Sequence, residues 1–122
     1  MLNPTFLEVL KHEGVVTIIS STAQGFHAVN TWNSYMRAKD QQLYIPAAGM
    51  HSVEKDVAEN PEVLITIGSK EVPGLMGPGT GFHVHGTAHF VTEGPVFEQM
   101  FADYPFISRV LVVDVTKMEQ KI

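Results

Sequence analysis

From Phe82 to Thr92 the residues alternate, with Phe82, Val84, Ala88 and Phe90 pointing one way and His83, His85, Thr87 and His89 the other. A period of two is the mark of a strand with one buried face. Shorter β-branched or apolar runs repeat that signal at residues 15–20, 26–35, 43–47, 63–69 and 109–115. Only short helices fit between them. Asn3-Pro4-Thr5 opens the first, ended by Gly14, and Ser52 opens a second that Asn60-Pro61 closes. Gly94-Pro95 starts a third, running to about residue 102. Residues 70–81 carry Pro73, Pro78 and four glycines and read as a long loop. Six strands with no alternating long helices argue against a parallel sheet. The expected fold is mainly β, a closed six-stranded antiparallel barrel with a few short peripheral helices, because closure removes exposed edges.

The chain of 122 residues reads as one domain over residues 1–122, long enough to bury roughly two-thirds of its unfolded surface. Its net charge of −5 and lack of a basic cluster argue against nucleic acid, whose phosphates need clustered Lys and Arg. The absence of cysteine excludes disulfides and thiolate chemistry and fits a reducing cytoplasm, the expected location. No basic segment followed by an apolar run opens the chain, so no signal peptide is expected. The apolar runs fall far short of a membrane span.

Residues 30–52 stand apart. Asn30, Asn33 and Ser34 surround the single Trp32, and amides cost free energy when buried unpaired, so they face water or a polar partner. Pro46-Ala47-Ala48-Gly49-Met50-His51-Ser52 is a small-residue run whose bare backbone a flat ligand could approach. Ser52 sits where a helix N-cap belongs, and helix N-termini attract phosphate. Aromatic face, free backbone and anion site together point to a nucleotide-like cofactor, with flavin mononucleotide (FMN) as the first choice. Trp32 taken alone reads more readily as core than as a stacking platform, and its polar neighbours tip the balance towards the platform.

Other features carry less chemistry. His83, His85 and His89 resemble part of the metal-binding run of a cupin, with Gly77 upstream, but His89 stands where a glutamate belongs. A metal site through imidazoles and a solvent- or interface-facing row both remain open. Gly77-Pro78-Gly79-Thr80-Gly81 lacks the Gly-Lys-Ser/Thr of a P-loop and reads as a tight turn or a ligand-lining loop. Val110-Leu111-Val112-Val113 is apolar at consecutive positions, so both faces of the last strand want burial. A barrel has one interior, so a partner subunit is the expected cover for the outward members, with Met118 and Ile122 reaching across.

The strings Phe6-Leu7-Glu8-Val9-Leu10, Glu13-Gly14-Val15-Val16, Val29-Asn30-Thr31-Trp32-Asn33-Ser34-Tyr35, Gly49-Met50-His51 and Gly77-Pro78-Gly79-Thr80-Gly81-Phe82 carry a resemblance over nearly the whole chain. The chain resembles the small FMN-binding proteins of the pyridoxamine 5'-phosphate oxidase-like split-barrel superfamily. That resemblance implies a Greek-key split barrel and a homodimer with FMN bound non-covalently near the subunit interface. It also implies that Asn30, Thr31 and Trp32 line the flavin. Pro46, Ala47, Ala48, Gly49, Met50, His51 and Ser52 would cradle it and lead to the phosphate. Gly68 and Ser69 would touch it from a neighbouring strand, and Ile122 of a second subunit would lie against it.

The family pattern has a Lys-Thr pair after Gly-Met-His, where this chain has Ser52-Val53. A phosphate countercharge would then come from Lys55 or Lys70. The substrate-binding residues of the pyridoxamine phosphate oxidases have no match. The reading is therefore a redox or electron-transfer flavoprotein whose catalytic residues and electron partner the sequence leaves unassigned. A non-redox flavin-binding module and the metal-dependent barrel are the alternatives.

Overall fold

The computed structural model describes residues 2–122. The β-branched run forms strand β1 (Val15–Thr22), which turns through Ala23 and Gln24 into β2 (Gly25–Trp32), pairing Val15 with Trp32 and Thr22 with Gly25. Gly25 has φ 124°, a conformation that favours glycine in a tight turn. Arg37–Lys39 (β3) and Gln42–Ala47 (β4) form a second hairpin around Asp40, at φ 57°. The long strands are β5 (Glu62–Pro73), β6 (Pro78–Val91) and β7 (Arg109–Gln120). Helices α1 (Pro4–Val9), α2 (His51–Glu59) and α3 (Pro95–Asp103) sit between them.

All seven strands form one antiparallel sheet, ordered β2-β1-β5-β6-β7-β4-β3. Strand β4 lies beside β7 and not beside β5, which is a Greek-key connection. The expected closed six-stranded barrel is corrected on two points. There are seven strands, because the run expected at 26–35 breaks after Trp32 into a 3-10 turn (Asn33–Tyr35), freeing Arg37–Lys39 to pair. The sheet also has two edges, β2 and β3, with no ladder joining them among the described residues. Yet β2 and β3 are consecutive, and five extended peptide steps span at most about 18 Å. The sheet must therefore curl enough to bring the end of β2 within that distance of the start of β3.

Inside that curl lies the main core. Val16 and Ile18 of β1, Ile65 and Ile67 of β5, Phe82 and Val84 of β6, and Leu111 and Val113 of β7 are all buried there. Helix α1 closes one end, with Phe6 fully buried and edge-to-face with Phe82 at 5.7 Å and 82°. A Phe6→Ala change would cost about 3–5 kcal/mol, the range for emptying a core aromatic site.

Two further expectations change. The outward members of the 110–113 run, Val110 and Val112, are covered by the chain's own α3. They pack with Tyr44, Met100 and Ile107, flanked by Val96 and Phe97. No partner is needed there, and Met118 packs against the main core. Residues 70–81 are not a long loop either. Strands β5 and β6 continue into a hairpin arm in which Pro73 pairs with Pro78 after a register shift beyond Ser69, and Gly74 N–H bonds the Gly77 carbonyl.

Candidate functional site

The polar cluster around Trp32 is satisfied largely within the chain. Thr17 Oγ1 donates to Asn30 Oδ1 across β1 and β2 at 2.7 Å. Thr31, on the opposite face, is buried. Asn33 is wholly buried, and its Nδ2 lies within reach of three carbonyls: His12 at 2.9 Å, Gly68 at 3.2 Å and Val9 at 3.3 Å. It ties the end of β2 to α1 and β5. Ser34 donates through its backbone N–H and its hydroxyl to Glu13. Trp32 itself stays 48% exposed, opposite Val15, so it is not the core residue that a lone tryptophan could have been.

The small-residue run lies where β4 ends. Pro46 and Ala47 are buried, while Ala48 and Gly49 are exposed, and a Cβ added at Gly49 would meet nothing within 4 Å. Met50 adopts φ 63° and ψ 31° and stands at the N-cap of α2, which begins at His51. Ser52 is therefore an exposed first-turn residue and not the N-cap expected from the sequence. The left-handed Met50 turns the chain two residues earlier than a serine cap would.

Arg109, only 6% exposed, underlies this loop. Its Nη2 donates to the carbonyls of Gly49 at 2.6 Å and Ala48 at 3.4 Å, and its guanidinium lies over the Phe90 ring at 5.2 Å. Its Nη1 has no hydrogen-bond acceptor, although Glu54 Oε1 stands 3.5 Å away as an ion pair. A buried arginine is thus held at the start of α2 with donor capacity to spare. Lys70, the sequence's candidate countercharge, lines a different cleft with Glu13, Ser69 and Thr80. Lys55 is exposed, four residues into α2.

Residues 104–108 bridge the two halves. Ser108 N–H donates to the Ala47 carbonyl at 3.0 Å, and the Tyr104 hydroxyl donates to the Ser34 carbonyl at 3.2 Å. Tyr35 packs on Tyr104 at 5.2 Å and on Phe106 at 6.0 Å between ring centroids, and Phe106 is largely exposed. Helix α2 points the same way. Asn60, at its C-terminal end, bonds the Ser21 carbonyl, and Asp56 bonds Ser20 and His27, so its N-terminus is directed along β2 towards Thr31. Sequence reading missed Tyr35, Tyr104, Phe106 and Arg109. The one available signal was the aromatic pair flanking Pro105 outside any strand.

Gly68, Ser69 and Ile122 lie at the same end of the sheet. Two adjoining clefts of about 310 and 510 Å³ share Gly68 and Ile122, and Ser69 lines the larger. The Ile122 carbonyl accepts Thr80 Oγ1 at 2.7 Å, and Lys121 N–H bonds the Gly81 carbonyl. In one chain, then, the terminus lies against its own β6. Gly68 is required by close approach, since a Cβ there would sit 2.7 Å from the Thr80 carbonyl.

His83, His85 and His89 do not gather into a metal centre. His85 Nε2 pairs with Glu119 at 3.3 Å, which with the Lys117 charge holds that carboxyl below its ordinary pKa. His89 lies four residues farther along β6, roughly 13 Å at strand rise. No group of three metal-ligating side chains occurs among the described residues. No helix among them is long and apolar enough to cross a membrane.

Comparison with known proteins gives this geometry a context. Residues 2–121 match the family described as pyridoxamine 5'-phosphate oxidase. A protein of Nitratidesulfovibrio vulgaris (strain DSM 19637 / Miyazaki F) named FMN-binding protein is 47% identical over 121 residues, covering 98% of each chain. Among solved structures, HupZ of Group A Streptococcus superposes with a TM-score of 0.78 at 15% identity, covering 99% of this chain and 94% of that one. An FMN-binding protein from Syntrophomonas wolfei subsp. wolfei gives 0.67 at 11% identity, covering 88% and 76%. At such identities these two structures speak for the fold alone. The matched family and the 47%-identical relative, both spanning nearly the whole chain, place it in the pyridoxamine 5'-phosphate oxidase family.

Proposed function

We propose that this chain binds FMN non-covalently, near an interface between two copies, and works as a redox flavoprotein. The observation that carries the reading is the convergence of three elements around the 104–108 bridge. These are Tyr35 (three residues beyond the half-exposed Trp32) with the exposed Phe106, the open backbone of Ala48 and Gly49, and the start of α2 above Arg109. The residues fit the group. An exposed aromatic face suits a flat ring system. Free N–H groups at a helix start suit a phosphate, and the buried Arg109 guanidinium beneath the loop adds positive charge at the same end. The likeness to a 47%-identical FMN-binding protein supports the same choice.

In this reading Asn30, Thr31 and Trp32 line the ring on β2, and Ala47, Ala48, Gly49, Met50, His51 and Ser52 lead to the phosphate. Arg109 takes the role that Lys55 or Lys70 had in the sequence reading. Bound FMN would supply electron or hydride transfer, while the chain supplies binding, shielding and tuning. Val15, Phe26 and Trp32, exposed at 47%, 77% and 48%, share one outward face of β1 and β2 with Ala28. A second copy is the cover we assign to it, bringing its Ile122 near the cofactor with Gly68 and Ser69.

The absorbance spectrum of the protein as purified tests this directly. A flavin spectrum, with FMN released on denaturation, is expected. An apoprotein that takes up no FMN in titration would overturn the reading. Reduction by a nicotinamide donor then separates a redox protein from a flavin-storage module.

A further inference from the structure

We propose a second ligand site, for a small organic anion, in the groove between β3, β4 and α3. Its volume is about 200 Å³, and it is separate from the Ala47–Ser52 loop. Arg37 and Lys39 stand two residues apart on one face of β3, about 6.6 Å along the strand. Tyr44 pairs with Arg37 across the ladder and forms an apolar floor with the buried Met100 of α3. Gln99 lines the same groove.

The charged side chains that line this groove, Arg37 and Lys39, are both cations, and Gln99 adds a neutral amide. Lys39 makes no ion pair among the described residues, although the chain as a whole is acidic. The Tyr44 hydroxyl already donates to Gln42 Oε1 at 2.9 Å. Arg37 donates through Nη1 to Asp103 at 3.1 Å and through Nη2 to the Tyr104 hydroxyl at 3.0 Å. The Asp103 contact is half exposed on both sides, and such pairs hold weakly in water, so an incoming carboxylate can share or replace it. Two cations above an apolar, partly aromatic floor select a ligand with one anionic end and a compact apolar body. A neutral molecule of the same shape would leave the charge-assisted bonds unmade. A bare inorganic anion would leave the Tyr44–Met100 floor wet.

The test is a titration of the isotope-labelled protein, with FMN present, followed by amide chemical shifts. Benzoate serves as probe, with benzyl alcohol and inorganic phosphate as controls. Benzoate should give saturable shifts at Arg37, Lys39, Gln99 and Met100, and Lys39→Glu should weaken binding by about tenfold or more. Lys39→Ala should weaken it in the same direction. Lys39 is exposed, so both variants should keep the remaining spectrum, which reports the fold directly. Shifts that do not saturate at millimolar benzoate overturn the proposal. So does equal binding of benzyl alcohol or phosphate, or indifference to both variants. The readout is by residue, so it stands whether or not FMN occupies the other site.

Discussion

Nδ1 of His27 donates a 2.7 Å hydrogen bond to the buried carboxylate of Asp56, joining the edge strand β2 to helix α2. Ser20 donates to the same oxygen at 2.8 Å. The His27 bond first, then the Ser20 bond, holds the Asp56 carboxyl below its ordinary pKa. These contacts aim the start of α2 along β2, so the proposed phosphate site depends on a carboxylate little more than a turn farther along the same helix and on its partners in β1 and β2.

That arrangement sets an acid response. A carboxylate with a depressed folded-state pKa contributes stability that is present above its unfolded value, near 3.9. The contribution is lost as pH falls through the folded value. Melting temperature should therefore fall below about pH 4 in the wild type. Asp56→Asn should melt lower at neutral pH and show a shallower acid decline. Parallel melting curves from pH 2 to 7 would show that Asp56 is not the group responsible.

Trp32→Ala should leave the fold intact, because the side chain is half exposed. Stacking of a flat ring on an aromatic side chain is worth about 1–3 kcal/mol. FMN affinity should drop by about 10- to 100-fold, one decade for each 1.4 kcal/mol. Fluorescence titration of the apoprotein measures it, and unchanged affinity in a folded variant removes Trp32 from the site.

Arg109→Met keeps an unbranched apolar stem but removes the guanidinium that lies over Phe90 and donates to Gly49. A charge-assisted hydrogen bond contributes about 1.5–3 kcal/mol, so stability should fall by that order. The sharper readout is ligand choice. Wild type should prefer FMN to riboflavin, and the variant should lose most of that preference while its riboflavin affinity holds. A retained preference would move the phosphate away from Arg109.

Much of this was legible in order along the chain. The alternation at Phe82 to Phe90 and the β-branched run at Val15 survive in the structure, because a period of two on a half-buried sheet leaves few alternatives. Local chemistry misled where tertiary contacts decide. Pro73 and Pro78 looked like loop residues, yet they pair on the arms of a hairpin whose turn is only Gly74 to Gly77. Asn33 reads from the sequence as a strand residue that needs water or a polar partner, and its amide turns inward to three carbonyls, of Val9, His12 and Gly68, where β2 ends. Arg109 and Phe106 were invisible as site residues because they reach the β4–α2 loop only through β4–β7 pairing. The cover over Val110 and Val112 was assigned to a partner because nothing in the sequence says where α3 will lie.

Assembly is the last test, and it rests on the outward face of β1 and β2 and on the terminal residues. Phe26, Val15 and Trp32 expose apolar surface on one face of a sheet edge that no other strand covers among the described residues. Edges of this kind invite pairing with another chain. Ile122 lines both clefts at the Gly68 end, held by Thr80 and Gln120 at its carbonyl. If a second copy completes the site, dimer and cofactor stabilise each other, by about 2.7 kcal/mol at free FMN a hundredfold above its dissociation constant. Deleting residues 120–122 removes contacts at the rim and little of the core. The truncated protein should therefore bind FMN more weakly, and its holo melting temperature should fall more than its apo one. Sedimentation of the full chain should show a dimer at micromolar concentration. A monomer that still holds FMN would dispose of the shared site, and a truncation that lowers both melting temperatures equally would make Ile122 a structural residue only.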